Sequence, residues 1–200
     1  MKNKKLFKDK RQMIIYIVLF IIFILLFIYF GTLENKTKEI SDSEKFGNEY
    51  KIVTKDNVFS YINAQDASAY VKTSNAIILF GIKNNANVGR YAKILNEVAK
   101  EVGIDRIFYY DITEDREIKN GTYESIVEYL KSYITVLDDG TKNIYAPTLL
   151  IKKHGVIAFY DDESALIKGE QTSNEYWDNY QENITRLTLK KALEDYVNEE

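Results

Sequence analysis

Asn84, Asn85 and Asn87 are the polar residues of this 200-residue chain that stand where proteins often place chemistry, in a turn between an apolar run and a periodic helix. The run, Ala76-Ile77-Ile78-Leu79-Phe80, is short, uninterrupted and β-branched at its centre, which suits a strand buried on both faces. From Val88 the apolar positions Val88, Tyr91, Ala92, Leu95, Val98, Ala99 and Val102 recur at the spacing of a helix with one buried stripe. Gly103 is its natural stop. The turn Lys83-Asn84-Asn85-Ala86-Asn87 therefore delivers amide side chains to a helix N-terminus. There they cap unpaired backbone N–H groups, or they face a groove and hydrogen-bond a peptide backbone. Neither task makes or breaks a covalent bond, and the turn holds no nucleophile and no base.

Composition removes other chemistries. With no cysteine there is no disulfide framework, no thiolate nucleophile and no thiolate metal site. The single histidine, His154, leaves no His-ligated metal centre. Flanked by Lys153 and Gly155, it reads as a solvated turn residue. No cofactor is implied.

Stepping outward, Met13 to Phe30 is an unbroken apolar run of 18 residues. As a helix it spans about 27 Å, close to the ~30 Å hydrocarbon core of a bilayer. The flank before it, residues 1–12, carries Lys2, Lys4, Lys5, Lys8, Lys10 and Arg11 against Asp9, which predicts an N-terminus held in the cytoplasm. A cleaved signal peptide competes with this reading, but the run exceeds a signal core and Phe30-Gly31-Thr32-Leu33 is a poor cleavage site. The expectation is thus a single-pass anchor in the cell membrane at 13–30, a polar tether at 31–49 and an extracellular domain at 50–200. The flank takes 6 of 27 basic and 1 of 30 acidic residues, so residues 31–200 carry 21 minus 29, a charge of −8. That balance argues against nucleic-acid binding and for neutral or basic partners.

Within the domain, Tyr50 to Thr54 alternates as a first strand, followed by a short helix carrying Val58, Phe59 and Ile62. The Asn-turn unit follows. Arg106 to Ile112 is a further apolar strand, and strand, helix, strand in about 35 residues is a βαβ unit. Tyr123 to Leu137 reads as a helix. Tyr145-Ala146-Pro147 leads into a hairpin whose runs, Thr148 to Ile151 and Val156 to Tyr160, flank Lys152-Lys153-His154-Gly155. Asp161 to Ser173 reads as a polar insertion. A last helix, Asn174 to Glu200, has Trp177, Tyr180, Ile184, Leu187, Leu193, Tyr196 and Val197 as its apolar stripe.

Taken in order, the strand ending Ile78-Leu79-Phe80-Gly81, the helix with Leu95-Asn96-Glu97-Val98-Ala99, the strand Phe108-Tyr109-Tyr110-Asp111, and Ala146-Pro147-Thr148 before Lys153-His154-Gly155 resemble the thioredoxin-like superfamily. Tyr50 to Val197 carries the resemblance. Within the superfamily the chain is similar to membrane-anchored thioredoxin-like proteins of Gram-positive bacteria, including bacteriocin transport accessory-type proteins. The resemblance implies an α/β thioredoxin-like fold, a central mixed sheet flanked by helices, behind a single N-terminal transmembrane helix. It places the family's Cys-x-x-Cys pair on Asn85 and Val88, so both cysteines are lost and no thiol chemistry remains. Gly89 in the first helical turn and the lack of an acid in the central strand are further departures, and Gly89 suggests a later helix start. Pro147 is implied to be cis.

The expected function is accordingly a redox-inactive extracytoplasmic binding module, not an enzyme, for peptides or exported proteins. Asn84, Asn85, Asn87, Tyr145, Ala146 and Pro147 form its expected peptide groove. Two alternatives stay open: a structural subunit of a transporter or envelope complex, using a membrane-protein partner, and a non-thiol enzyme in which Asn or Tyr groups near the same face bind a thiol cofactor such as glutathione, although apart from Arg90 the helix start has no obvious Arg or Ser for it.

Overall fold

The computed structural model describes residues 10–34, 40–73, 75–169 and 171–198, without the side chains of 27–34. The chain divides into two compact units, Met1–Ile40 and Ser41–Glu200. The first contains helix α1 (Lys10–Glu34). Among the described residues no helix is long and apolar enough to cross a membrane. The side chains of 27–30 in the expected span lie outside the described residues, as do residues 1–9 of the basic flank. The single-pass anchor, and with it the assignment of the C-terminal domain to the cell exterior, is therefore corrected.

The second unit begins earlier than the expected 50–200. Residues 42–49, expected in the tether, form α2 (Asp42–Glu49), capped by Ser41, whose hydroxyl accepts the Glu44 N–H at 3.2 Å. Its Phe46 is fully buried and stacks on Phe59 with ring centroids 4.1 Å apart. Tyr50 closes this helix and does not open a strand. The first strand is β1 (Phe59–Tyr61), where a short helix was expected, because Phe59 enters the core and pairs in parallel with Ile107.

Next come α3 (Ala64–Thr73), β2 (Ala76–Gly81), α4 (Ala86–Val102), β3 (Ile107–Asp111), α5 (Thr113–Glu117) and α6 (Gly121–Leu130). The chain ends with β4 (Thr148–Lys153), β5 (Val156–Asp161), α7 (Ser164–Ile167), α8 (Ser173–Tyr176) and α9 (Asn179–Val197). The five strands form one mixed sheet in the order β1-β3-β2-β4-β5. β1, β3 and β2 are parallel, while β4 and β5 add as an antiparallel hairpin. Its turn uses left-handed residues, His154 at φ 52° and Gly155 at φ 79°, which match the twist of the paired strands.

Helices cover both faces. Ile77 and Leu79 of β2 point into a core with Leu95 of α4 and Leu189 and Leu193 of α9. Ile78 and Phe80 point the other way, against Val71 of α3 and Tyr123 and Ile126 of α6. β2 is buried along its whole length, as its unbroken apolar run predicts. α6 stops at Leu130, short of the expected Leu137, and the chain turns until Leu137 donates to Thr141. On α9 the buried residues are Thr185, Leu189 and Leu193, while Tyr180 and Leu187, expected in the stripe, are exposed.

α4 starts at Ala86 and runs through Gly89, earlier than Gly89 suggested. A methyl group on Gly89 would meet Ile52 at 3.3 Å and Tyr50 at 3.4 Å, so the glycine lets this turn approach the 50–52 segment closely. Gly81 has a stronger reason. A Cβ there would sit 2.4 Å from the Tyr109 ring, whose hydroxyl shares a 2.6 Å hydrogen bond with Tyr50.

Candidate functional site

The residues proposed from sequence separate into two groups around the N-terminus of α4. Asn85 is the helix cap. Its Oδ1 accepts the N–H groups of Asn87 at 2.9 Å and Val88 at 3.1 Å, which satisfies two of the unpaired amides every helix start leaves. Asn84 occupies the left-handed region at φ 59°, a conformation Asn adopts at lower cost than most residues. Together they line a surface cleft with Glu49, Tyr50, Gly89 and Arg90. Val88 is fully buried.

Asn87 lies on the other side. It lines a second cleft, of about 180 Å³, with Tyr145, Ala146 and Pro147. The structure thus brings four of the six expected groove residues together and leaves Asn84 and Asn85 out. The Ala146–Pro147 peptide is cis. Behind it the Thr148 hydroxyl donates to the Tyr145 carbonyl at 2.8 Å, fixing this corner. Among the described residues, neither the N–H nor the C=O of half-buried Ala146 has a hydrogen-bond partner in the protein.

Asn87 is also engaged internally. Its Oδ1 accepts the Ser173 hydroxyl at 2.5 Å and the indole N–H of Trp177 at 3.0 Å, tying the start of α4 to the α8 segment. Arg90 does the same from the next turn, donating to the Trp177 carbonyl at 3.3 Å and to Asn174 at 3.4 Å. An Arg so occupied is a poor anchor for a cofactor. Trp177 itself is buried, so it offers no surface to a partner.

The opposite wall of the Ala146 cleft was not foreseen. It is built by Ile82, Arg116, Asp162, Glu163, Leu166 and Ile167. Asp162 and Glu163 are buried, at 7% and 6% exposure, in the segment that sequence reads as a polar insertion. Each of three consecutive acids has an uncharged partner. Asp161 accepts the Tyr91 hydroxyl at 2.8 Å. Asp162 accepts the Thr135 N–H at 2.9 Å and its hydroxyl at 3.0 Å. Glu163 accepts the Tyr176 hydroxyl, which Gln181 approaches at 3.0 Å. Glu163 adopts a left-handed backbone at φ 49°. Burial first, then the neighbouring Asp161 and Asp162 charges, push its carboxyl up to about 8. Burial likewise raises Asp161, partly offset by the Glu163 amide and the Tyr91 hydroxyl.

An acidic triplet after a strand ordinarily marks a solvated turn, so no signal in the sequence could have announced this one. Chemically the cleft offers backbone hydrogen bonding from Ala146, amide hydrogen bonding from Asn87, apolar walls and a carboxyl able to hold a proton at neutral pH. His154 stays in the hairpin turn, its backbone N–H donating to Asn75 at 2.7 Å. Among the described residues no group of three or more His, Asp or Glu is arranged to hold a metal ion. No protein-family model matches the chain, and no curated protein matches its sequence.

Proposed function

We propose that Ser41–Glu200 is a thioredoxin-fold module without thiol chemistry that binds an extended peptide segment in the Ala146–Pro147 cleft. Support for the fold comes from three parallel strands extended by an antiparallel hairpin, with helices on both faces. Asn85 at the helix cap and fully buried Val88 one turn on occupy positions that suit the two lost cysteines. Without cysteine, thiol exchange is closed to the chain by itself.

The observation that carries the binding reading is the unpaired backbone of Ala146. A half-buried amide and carbonyl without partners are costly unless water or a ligand satisfies them. An extended peptide does so by adding as a strand, with Asn87 and the Tyr145 ring contributing further contacts. The charge of −8 over residues 31–200 favours neutral or basic segments. Binding is expected to be weak, because few side chains here make directional contacts.

The test uses peptides selected on the wild-type protein from a displayed random library. Ala146→Arg fills the cleft from a half-buried position. Peptides that bind here should lose at least about tenfold in affinity, some 1.4 kcal/mol, while the far-ultraviolet circular dichroism stays unchanged. Undiminished binding by a folded variant moves the contact elsewhere.

A further inference from the structure

The strongest unexplained feature is that two of three adjacent acids, Asp162 and Glu163, are buried, and among the described residues none of the three forms an ion pair with a cation. Around Glu163 the titratable and charged groups are Asp161 on β5, its neighbour Asp162, Tyr91 on α4, Tyr160 on β5, Tyr176 on α8, and, across the cleft, Arg116 on α5 and Tyr145 before Pro147. α9 contributes Gln181, Ile184, Thr185 and Thr188 to this side, all uncharged. Hydroxyl partners can bond a carboxyl in either protonation state, so they do not compensate a buried charge as an ammonium or guanidinium would.

We propose that Glu163 is a proton-operated latch on the peptide cleft: neutral, it holds α7 and α8 against the sheet through Tyr176, and ionised, it releases them. The latch rests on the peptide-binding reading only for its consequence, since the same segment forms the cleft wall at Leu166 and Ile167. On ionisation the Glu163 proton passes to water. The resulting charge faces Asp161 and Asp162 in a buried site, and the way to solvate it is for the segment to swing outward. Three observations make that movement accessible. α7 and α8 are four residues each, too short to hold themselves in place. α8 is pinned by side-chain bonds at Asn87, Arg90 and Glu163. The left-handed backbone of Glu163, at φ 49°, is strained, and release would relieve it.

The chain carries its own reporter, because its one tryptophan, Trp177, adjoins Tyr176 with ring centroids 5.0 Å apart and donates to Asn87. The full-length protein is titrated from pH 6 to 9.5 while Trp177 emission is recorded. The wild type should show a red shift with a midpoint near the raised Glu163 value of about 8. Glu163→Gln, a neutral isostere, should hold the low-pH spectrum throughout. Should that variant fail to fold, Glu163→Asn removes the charge with a residue that tolerates the left-handed backbone, and should also give a flat titration. A flat wild-type titration, or a transition that survives either substitution, overturns the latch. A wild-type transition combined with undiminished peptide binding by Ala146→Arg keeps the latch and sinks the peptide reading instead.

Discussion

Buried basic and acidic side chains in this molecule are handled in opposite ways. Lys152, on β4, is fully buried, yet its ammonium donates to the Val71 carbonyl at 2.6 Å and to the Tyr129 hydroxyl at 3.2 Å. Val71 lies in the last turn of α3, where carbonyls lack helical partners and the helix dipole is negative. The cation therefore meets a fixed, oriented partial charge, and the tail of α3 is capped by it. The acids Asp161, Asp162 and Glu163, by contrast, meet mostly hydroxyls, which have no preference of sign. One arrangement makes a permanent structural pin. The other leaves a group whose charge follows the solution pH.

Breaking the pin should give the largest effect. Lys152→Ala opens a cavity and orphans the Val71 carbonyl, and is expected to cost ~2–5 kcal/mol in urea unfolding. Lys152→Met keeps the volume and sharpens the comparison. If the carbonyl contact matters, it should still cost about 1–3 kcal/mol, whereas a neutral outcome would show that the stem alone does the packing.

The middle effect belongs to Asp162, whose two oxygens hold Thr135. Asp162→Asn removes one acceptor and is expected to lower stability by about 1–3 kcal/mol. An unchanged urea midpoint would make the Asp162–Thr135 bonds incidental.

The smallest effect at acid pH, and the one that grows with pH, is that of Glu163→Gln. A carboxyl raised from its ordinary 4.5 to about 8 in the folded chain holds a proton there that the unfolded chain has released. Stability is then fully present below pH 4.5, falls as pH rises to about 8, and is level above it. The slope is at most about 1.4 kcal/mol per pH unit. Glu163→Gln should match the wild type at pH 4 and exceed it at pH 8. Parallel stability curves for the two proteins across that window would contradict a raised Glu163.

Legibility followed the range of the physics. The β2–α4 unit was readable because its signals are local: a β-branched run, a 3.6-residue period, an Asn cap and a left-handed Gly103. β1 was not, since three residues become a strand only through Ile107 and Tyr109 opposite them. The groove was half legible. Pro147 and its neighbours marked one wall, but Asn85 spends its side chain on its own helix, and Asn87 bonds a tryptophan 90 residues away.

The sequence alone determined the absence of thiol chemistry, the mixed α/β character, the hairpin and the acidic balance, since each depends on residue type or on contacts within a few positions. Tertiary structure decided which Asn faces the cleft, which leucine of α9 enters the core, and that two of three consecutive acids are buried. Those outcomes depend on what each side chain meets across the molecule. Leu187 and Leu189 share a chemistry and lie two residues apart, yet only Leu189 points at the sheet.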